Sequence, residues 1–528
     1  MLIFIELARI GERNMNNESR TVNSIRNTFF SIVGQTFSIV LSFVVRFVFI
    51  RTLPTEYLGL NGLFTSVLTI LSLAELGIGT AIIYAMYKPI AEHDEEKLCI
   101  LMKLYARVYT AIGLFVAIVG IAISPFLGSL IKDMPDIPGL TGIYFIFLFD
   151  TVASYFFAYK RSLISADQRE SVLSLNHLCF IIIKSIVQIA VLITLKNFYI
   201  YLFIQVACTL CENIRVSVIV DKLYPFLKEY NGHGHLSKQE KYEIIENIKA
   251  LFIYKAASVF LGGIDNLVIS SQIGVICVAI YSNYLLIINS LTNVINMFTA
   301  SITASIGNFV ATEDVQDQRK LFERVVFIVF LMYGFSSVCL YALFNPFMEI
   351  YGGKNLLLSN NAIILIVLNF YITGMMSPIW TFRTTMGLFI YGRWRPVISA
   401  VINFVLSMIF AKYWGIEGVL IATAISRITT NLWFDPYIVY KKGWGISPAQ
   451  YYCTFIKCSI IVIISSGIIA GISRVIPFSA TISGFVLRMI FVIGMSGVFY
   501  FIVAMLNPER YYFFSIIQRI IRKVGLCG

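Results

Sequence analysis

The stretch KLYPFLKEYNGHGHLSKQEKYEIIENIK (222–249) is the longest polar run in the chain, and it organises everything on either side of it. Six apolar segments precede it and eight follow. Of the 528 residues, 58% are hydrophobic and 13% charged, and mean hydropathy is +0.81. Soluble domains carry about a quarter charged residues, so this is not a soluble composition. Each apolar segment is long enough to cross a ~30 Å hydrocarbon core as a helix. Spans are expected at 27–50, 61–86, 104–131, 140–160, 172–195, 199–221, 250–273, 276–309, 325–348, 361–382, 394–413, 416–440, 451–473 and 481–506. The expected fold is therefore an all-α integral membrane protein with about 14 transmembrane helices.

The formal charge of +12 does not indicate nucleic acid, because basic residues sit in short clusters between apolar spans and form no phosphate-tracking stripe. The termini and the connections after even-numbered spans hold 25 Lys and Arg, whereas those after odd-numbered spans hold five. By the positive-inside rule both termini are cytoplasmic. The division reads as an N-terminus at 1–26, an N-lobe at 27–221, a cytoplasmic linker at 222–249, a C-lobe at 250–440, a final helix pair at 451–506 and an amphipathic tail at 507–528. The tail mixes aromatic, Ile and basic residues in RYYFFSIIQRIIRK (510–523), as a helix lying on the inner leaflet does. Met15 opens the polar stretch before the first span and is the expected translation start.

Several chemistries find no support. There is no G-x-x-x-x-G-K-[ST] phosphate loop and no kinase-like set, and the outer loops are too short for a glycan polymerase, so no enzymatic activity is expected. Cys208 and Cys211 form a C-x-x-C inside an apolar segment without a second pair, and His233 with His235 lacks neighbouring ligands; both read as ordinary residues. No resident cofactor is expected.

The two halves align weakly. VVRFVFIRTL (44–53) can be laid over GIDNLVISSQ (263–272), which sets Arg46 opposite Asp265, and YLGLNGLF (57–64) over AIYSNYLL (279–286). Repeated halves are common in transporters, where sites form at the repeat interface. With RTLPTEYLGLNGLF (51–64), LSLAELGIGTAIIYAMYKPIAEHD (71–94), IDNLVISSQIG (264–274), YSNYLLI (281–287) and SITASIGN (301–308), the chain resembles the polysaccharide repeat-unit flippases over essentially its whole length. That family shares a superfamily with the MATE drug exporters and the lipid II flippases. The resemblance implies two pseudo-symmetric six-helix lobes around a central cavity, a MATE-like fold with an added C-terminal helix pair, and alternating access. It implies an undecaprenyl-diphosphate-linked oligosaccharide as substrate, moved from the inner to the outer leaflet of a bacterial plasma membrane. Membrane lipids and the glycan polymerase and ligation machinery are the implied partners. A MATE-type small-molecule exporter is the alternative.

Charges within membrane helices usually face the bundle interior or a watery cavity. Here they are Arg46, Glu75, Asp150, Lys184, Glu212, Arg215, Lys255, Asp265, Arg427, Asp435 and Arg488. A diphosphate calls for cations, and Arg46, Arg51, Lys255 and Arg427 are the expected substrate-binding set; the resemblance places the first three on or beside spans 1 and 7, the lobe-interface helices. Glu75, among the small residues of AELGIG (74–79), and Asp265 are the expected ion-coupling carboxylates, for Na⁺ or H⁺. Glu212 and Arg215, three apart, are spaced to pair on one helix. Tyr281 and Tyr284 are candidates to stack on sugar rings.

Overall fold

The computed structural model describes residues 20–72, 78–132, 137–167, 169–230, 236–239, 242, 245–246, 262–388, 391–392, 394–479 and 481–507. All regular structure among them is helical. In chain order the main elements are α1 (Arg20–Thr52), α2 (Thr55–Leu71), α3 (Ile78–Glu92), α4 (Glu95–Ile123), α5 (Leu140–Ala166), α6 (Glu170–Thr194) and α7 (Phe198–Leu223). Then come α8 (262–272), α9 (Val275–Thr312), α10 (Val315–Gly352), α11 (Asn360–Met375), α12 (Ser377–Thr385), α13 (Arg395–Arg427), α14 (Ala449–Val475) and α15 (Ile482–Leu506). Two compact units divide the chain, Met1–Ala279 and Ile280–Gly528, with the boundary inside α9.

Helix starts follow local chemistry. Asp94 accepts from the Lys97 N–H at 2.9 Å and Glu95 and Glu96 occupy the first turn of α4, where the dipole favours negative charge. The Asn197 side chain accepts from the N–H groups of Tyr199 and Ile200 at the start of α7. Asp314 caps α10 by accepting from Asp317 at 2.8 Å. That cap lies eleven residues before the expected ninth span. The turns over 315–324 are amphipathic, so hydropathy reports the apolar length and misses the helical length. At 38 residues each, α9 and α10 run ~57 Å, well beyond a ~30 Å core.

Eleven helical stretches among the described residues are long and apolar enough to cross a membrane. One of these, Arg395–Gly443, spans 49 residues and is not a rod. Gly415 adopts φ +56°, and the Asn403 side chain donates to the Thr423 hydroxyl at 2.9 Å. Twenty residues of straight helix would separate those two by ~30 Å, so the segment is a hairpin and supplies two crossings, at the positions expected for spans 11 and 12. The expected second span comprises α2 and α3 with residues 73–77 between them outside the described set, and 250–261 of the seventh lie outside it too. The tail 510–523 and the loop histidines His233 and His235 are also outside.

In the first unit α1 lies along α6, and α5 packs between α4 and α7. Phe64 of α2 meets Tyr144 and Phe147 of α5 edge-on, and the Tyr144 hydroxyl donates to the Gly120 carbonyl at 2.9 Å. Gly59 is required where it stands: a Cβ there would lie 2.0 Å from the Val275 carbonyl oxygen. The α8 helix belongs to this unit as well. Asn266 donates to the Ser66 hydroxyl at 2.9 Å, Ser270 donates to the Leu130 carbonyl, and the Lys132 ammonium donates to the Gln272 carbonyl.

The second unit is built on α10, which packs against α11, α14 and α15. At one end Phe322 meets the rings of Phe382, Tyr440, Trp444 and Tyr451, and the Trp444 indole donates to Gln318 at 3.1 Å. Beyond α13 the backbone widens into π turns at Ile428–Leu432 and Val439–Gly443, flanking Pro436. A proline lacks an N–H and its ring crowds the carbonyl four residues back, which disfavours a regular α turn there.

Candidate functional site

Polar groups from several helices of the first unit meet along one helix, α7. From Tyr201 to Glu212, α7 presents Tyr201, Gln205, Cys208 and Glu212 at near-helical spacing, over ~17 Å of rise. Each meets a polar or aromatic group from another helix. Tyr201 lies against Phe49 of α1 with ring centroids 5.3 Å apart, within electrostatic reach of Arg46. Gln205 donates to Asp150 Oδ2 of α5 at 3.1 Å, and Cys208 is within electrostatic reach of Lys184 of α6.

Glu212, near the middle of α7, ends this track. Its Oε1 accepts from Arg161 Nη2 at 2.8 Å and lies 3.2 Å from His177 Nδ1. The expected pairing with Arg215 on the same helix is replaced by partners from α5 and α6. Arg161 and His177 are 44% and 49% exposed, whereas Glu212 is 15% exposed. An ionised group that faces acyl chains costs several kcal/mol. The face carrying Arg161, His177 and Glu212 therefore looks onto water or onto a polar ligand.

The expected site residues are distributed as follows. Arg46 sits half-buried on α1. Arg51, at the end of α1, is exposed and stacks over Phe47 at 4.4 Å. Asp265 is half-buried on α8, within the first unit. Arg427 donates to the Asn369 carbonyl at 2.8 Å, and Asn369 in turn donates to the Leu420 carbonyl. Glu75 and Lys255 lie outside the described residues. Tyr284 is fully buried, donating to Asn345 and accepting from the Leu358 N–H, so it packs and offers no face to a sugar. Cys208 and Cys211 are unbridged thiols.

Sequence reasoning missed Arg161 and Lys160, which sit near the end of α5 and read as topology signals, and it missed His177 of α6. It also missed the partners of Asp435. This carboxylate, 0% exposed, accepts from Arg383 and from the Trp380 indole at 3.0 Å and lies 3.2 Å from Arg395. Arg383 also donates to the carbonyls of Leu388 and Tyr391, and Arg395 to Asn431. A different feature of the second unit is an apolar cleft of about 420 Å³ among α10, α11, α13 and α14, lined by Tyr341, Ile364, Leu368, Tyr371, Phe455 and Ile463 among others.

Solved structures share this fold. The lipid II flippase MurJ in an inward closed conformation matches with a TM-score of 0.62 at 15% identity, covering 92% of this chain and 99% of that one. An inward-facing multidrug resistance MATE family transporter of the MOP superfamily matches at 0.54 and 15%, covering 76% and 97%. A mutant of the Vibrio cholerae MATE transporter VcmN matches at 0.52 and 14%, covering 78% and 95%. No curated protein matches by sequence. The family profile described as "Polysaccharide biosynthesis protein" matches residues 24–306, over half of the chain and most of the first unit with its polar track. This multi-pass, MATE-like membrane protein belongs to the polysaccharide biosynthesis protein family.

Proposed function

We propose that the chain is a flippase, not an enzyme, which moves undecaprenyl-diphosphate-linked oligosaccharide repeat units from the inner to the outer leaflet of a bacterial plasma membrane. The observation that carries this reading is the half-exposed Arg161–Glu212–His177 cluster, assembled from three helices, on a family member whose fold is that of flippases and exporters. A lipid diphosphate crossing hydrocarbon needs a polar path bearing cations, and arginine binds phosphate oxygens through its planar fork. Arg46, Arg51 and Arg161 supply such cations from α1 and α5, with Lys255 and Arg427 as further members of the set. The six-helix lobes before and after the 222–249 linker alternate in access, with both termini cytoplasmic. Apolar surface for the lipid tail exists in the cleft beside α14. Glu75 and Asp265 are the carboxylates that would couple Na⁺ or H⁺. Asp150 joins them, because its Oδ1 is buried without a hydrogen bond among the described residues.

The test is deletion followed by identification of the lipid-linked sugar that accumulates on the inner leaflet, with purified protein then reconstituted to flip it. Accumulation of no lipid-linked glycan would sink the reading. The second reading, a MATE-type exporter, is favoured only by the fold shared with MATE transporters. It predicts drug efflux from cells expressing the chain and no glycan phenotype.

The driving force is separable. The headgroup carries up to about two negative charges, and each crossing 100 mV is worth about 2.3 kcal/mol, so an inside-negative potential biases outward movement up to about a thousand-fold. Flipping in proteoliposomes should accelerate when that potential is imposed. Indifference to potential with strict dependence on a Na⁺ or proton gradient would assign the energy to the carboxylates instead.

A further inference from the structure

Where α4 begins and α5 and α7 end, near the short helix Phe226–Glu229, they line an open pocket of about 290 Å³. Lys103, Lys160 and Lys228 line it, with Asp221, Tyr159 and Cys99. Lys160 donates to Asp221 Oδ1 at 2.6 Å and to the Ser217 hydroxyl at 2.7 Å, while Lys228 lies 3.3 Å from Asp221 Oδ2. Lys103 donates to the Tyr230 carbonyl and lies 4.5 Å from the centre of the Tyr230 ring. The short helix is tied across the site by the Cys99 thiol, which donates to the Phe226 carbonyl.

Topology alone explains a surplus of lysines at this end, but not their convergence on one cavity. Three ammonium groups meet one carboxylate, which leaves the lining with about two positive charges. The volume lies at the lower limit of small-ligand pockets, room for one headgroup and not for an oligosaccharide. Basic pockets between membrane helices on the cytoplasmic side bind anionic headgroups. We propose that this pocket, remote along α7 from Arg46 and Tyr201, binds a phosphoryl oxyanion carried by an anionic phospholipid of the adjoining leaflet. Lys103, Lys160 and Lys228 would be its ligands, and Asp221 would hold two of them in place while competing with the anion.

The experiment uses the full chain in nanodiscs of phosphatidylcholine with a minor fraction of phosphatidylglycerol, and native mass spectrometry counts the phosphatidylglycerol retained. Wild-type protein should enrich it. Lys160→Gln with Lys228→Gln should lower its retention roughly 25-fold, at about fivefold per lysine. Asp221→Asn should raise retention, an opposite sign that misfolding does not produce. Exposed Lys320→Gln should leave it unchanged. Protection of retained lipid against inorganic phosphate assigns the lipid source, and displacement by phosphate assigns a soluble ion to the same oxyanion chemistry. Equal retention by wild type and the double lysine variant would overturn the proposal, as would a loss with Asp221→Asn.

Discussion

Two clusters of charge, each built around one carboxylate, differ in what surrounds them. Asp435 of the second unit is sealed: it is 0% exposed, and the side chains of Arg383 and Arg395 are 5% and 9% exposed. Arg383 also donates to two backbone carbonyls and Arg395 to Asn431, while the Trp380 indole donates to the carboxylate. Glu212 of the first unit has comparable partners, but Arg161 and His177 are about half open. A sealed ionic cluster has paired its charges at folding and holds the π-helical segment after α13 against α12. An open cluster keeps hydrogen-bonding capacity for something that arrives later. Burial of the partners, more than the presence of the charge, separates architecture from function.

The largest effect should come from breaking the sealed cluster. Asp435→Ala leaves two arginines buried without their carboxylate, which should cost about 3–5 kcal/mol and show as loss of folded protein in membranes and a lowered unfolding temperature. Replacing Arg383, Asp435 and Arg395 together by apolar residues of similar volume should recover most of that loss. If the triple replacement is also inactive while folded, the cluster does more than hold helices.

The open cluster should behave in the opposite way. Glu212→Gln should lower glycolipid flipping at least tenfold with protein abundance near wild type, since the partners it releases already reach water. A drop in abundance matching that of Asp435→Ala would erase the distinction between the clusters. Arg46→Ala should likewise abolish export at normal abundance, and full activity would remove Arg46 from the track.

Arg427 sharpens the middle ground, because it is half-buried and donates to Asn369. If it serves substrate, Arg427→Lys should impair flipping while the unfolding temperature holds; a stability loss of about 1–3 kcal/mol without a transport defect would make it structural. The smallest effect belongs to Lys320→Ala. That exposed residue pairs with Asp317 one turn away, and the change should stay within about 0.5 kcal/mol in thermal unfolding.

Much of the architecture was legible from the chain alone, and the reason is the solvent. Lipid forces each crossing to satisfy its backbone internally, so a run of apolar residues is already a helix. The hairpin at Gly415, the caps at Asp94 and Asn197 and the long eighth span at 275–312 follow from local residues. The charges within the spans were equally visible, since each stands out against an apolar background. What each charge touches was not. Glu212 has a neighbour of opposite sign three residues away and takes partners 51 and 35 residues away instead. Asp435 gathers an arginine 52 residues back and another from the start of α13. Lys160, Lys228 and Lys103 look like ordinary topology signals until α4, α5 and α7 converge. Local sequence sets which residues a helix carries and at what depth. The choice of partner depends on helix rotation and on which helices become neighbours, and those are decided by packing between segments far apart in the chain.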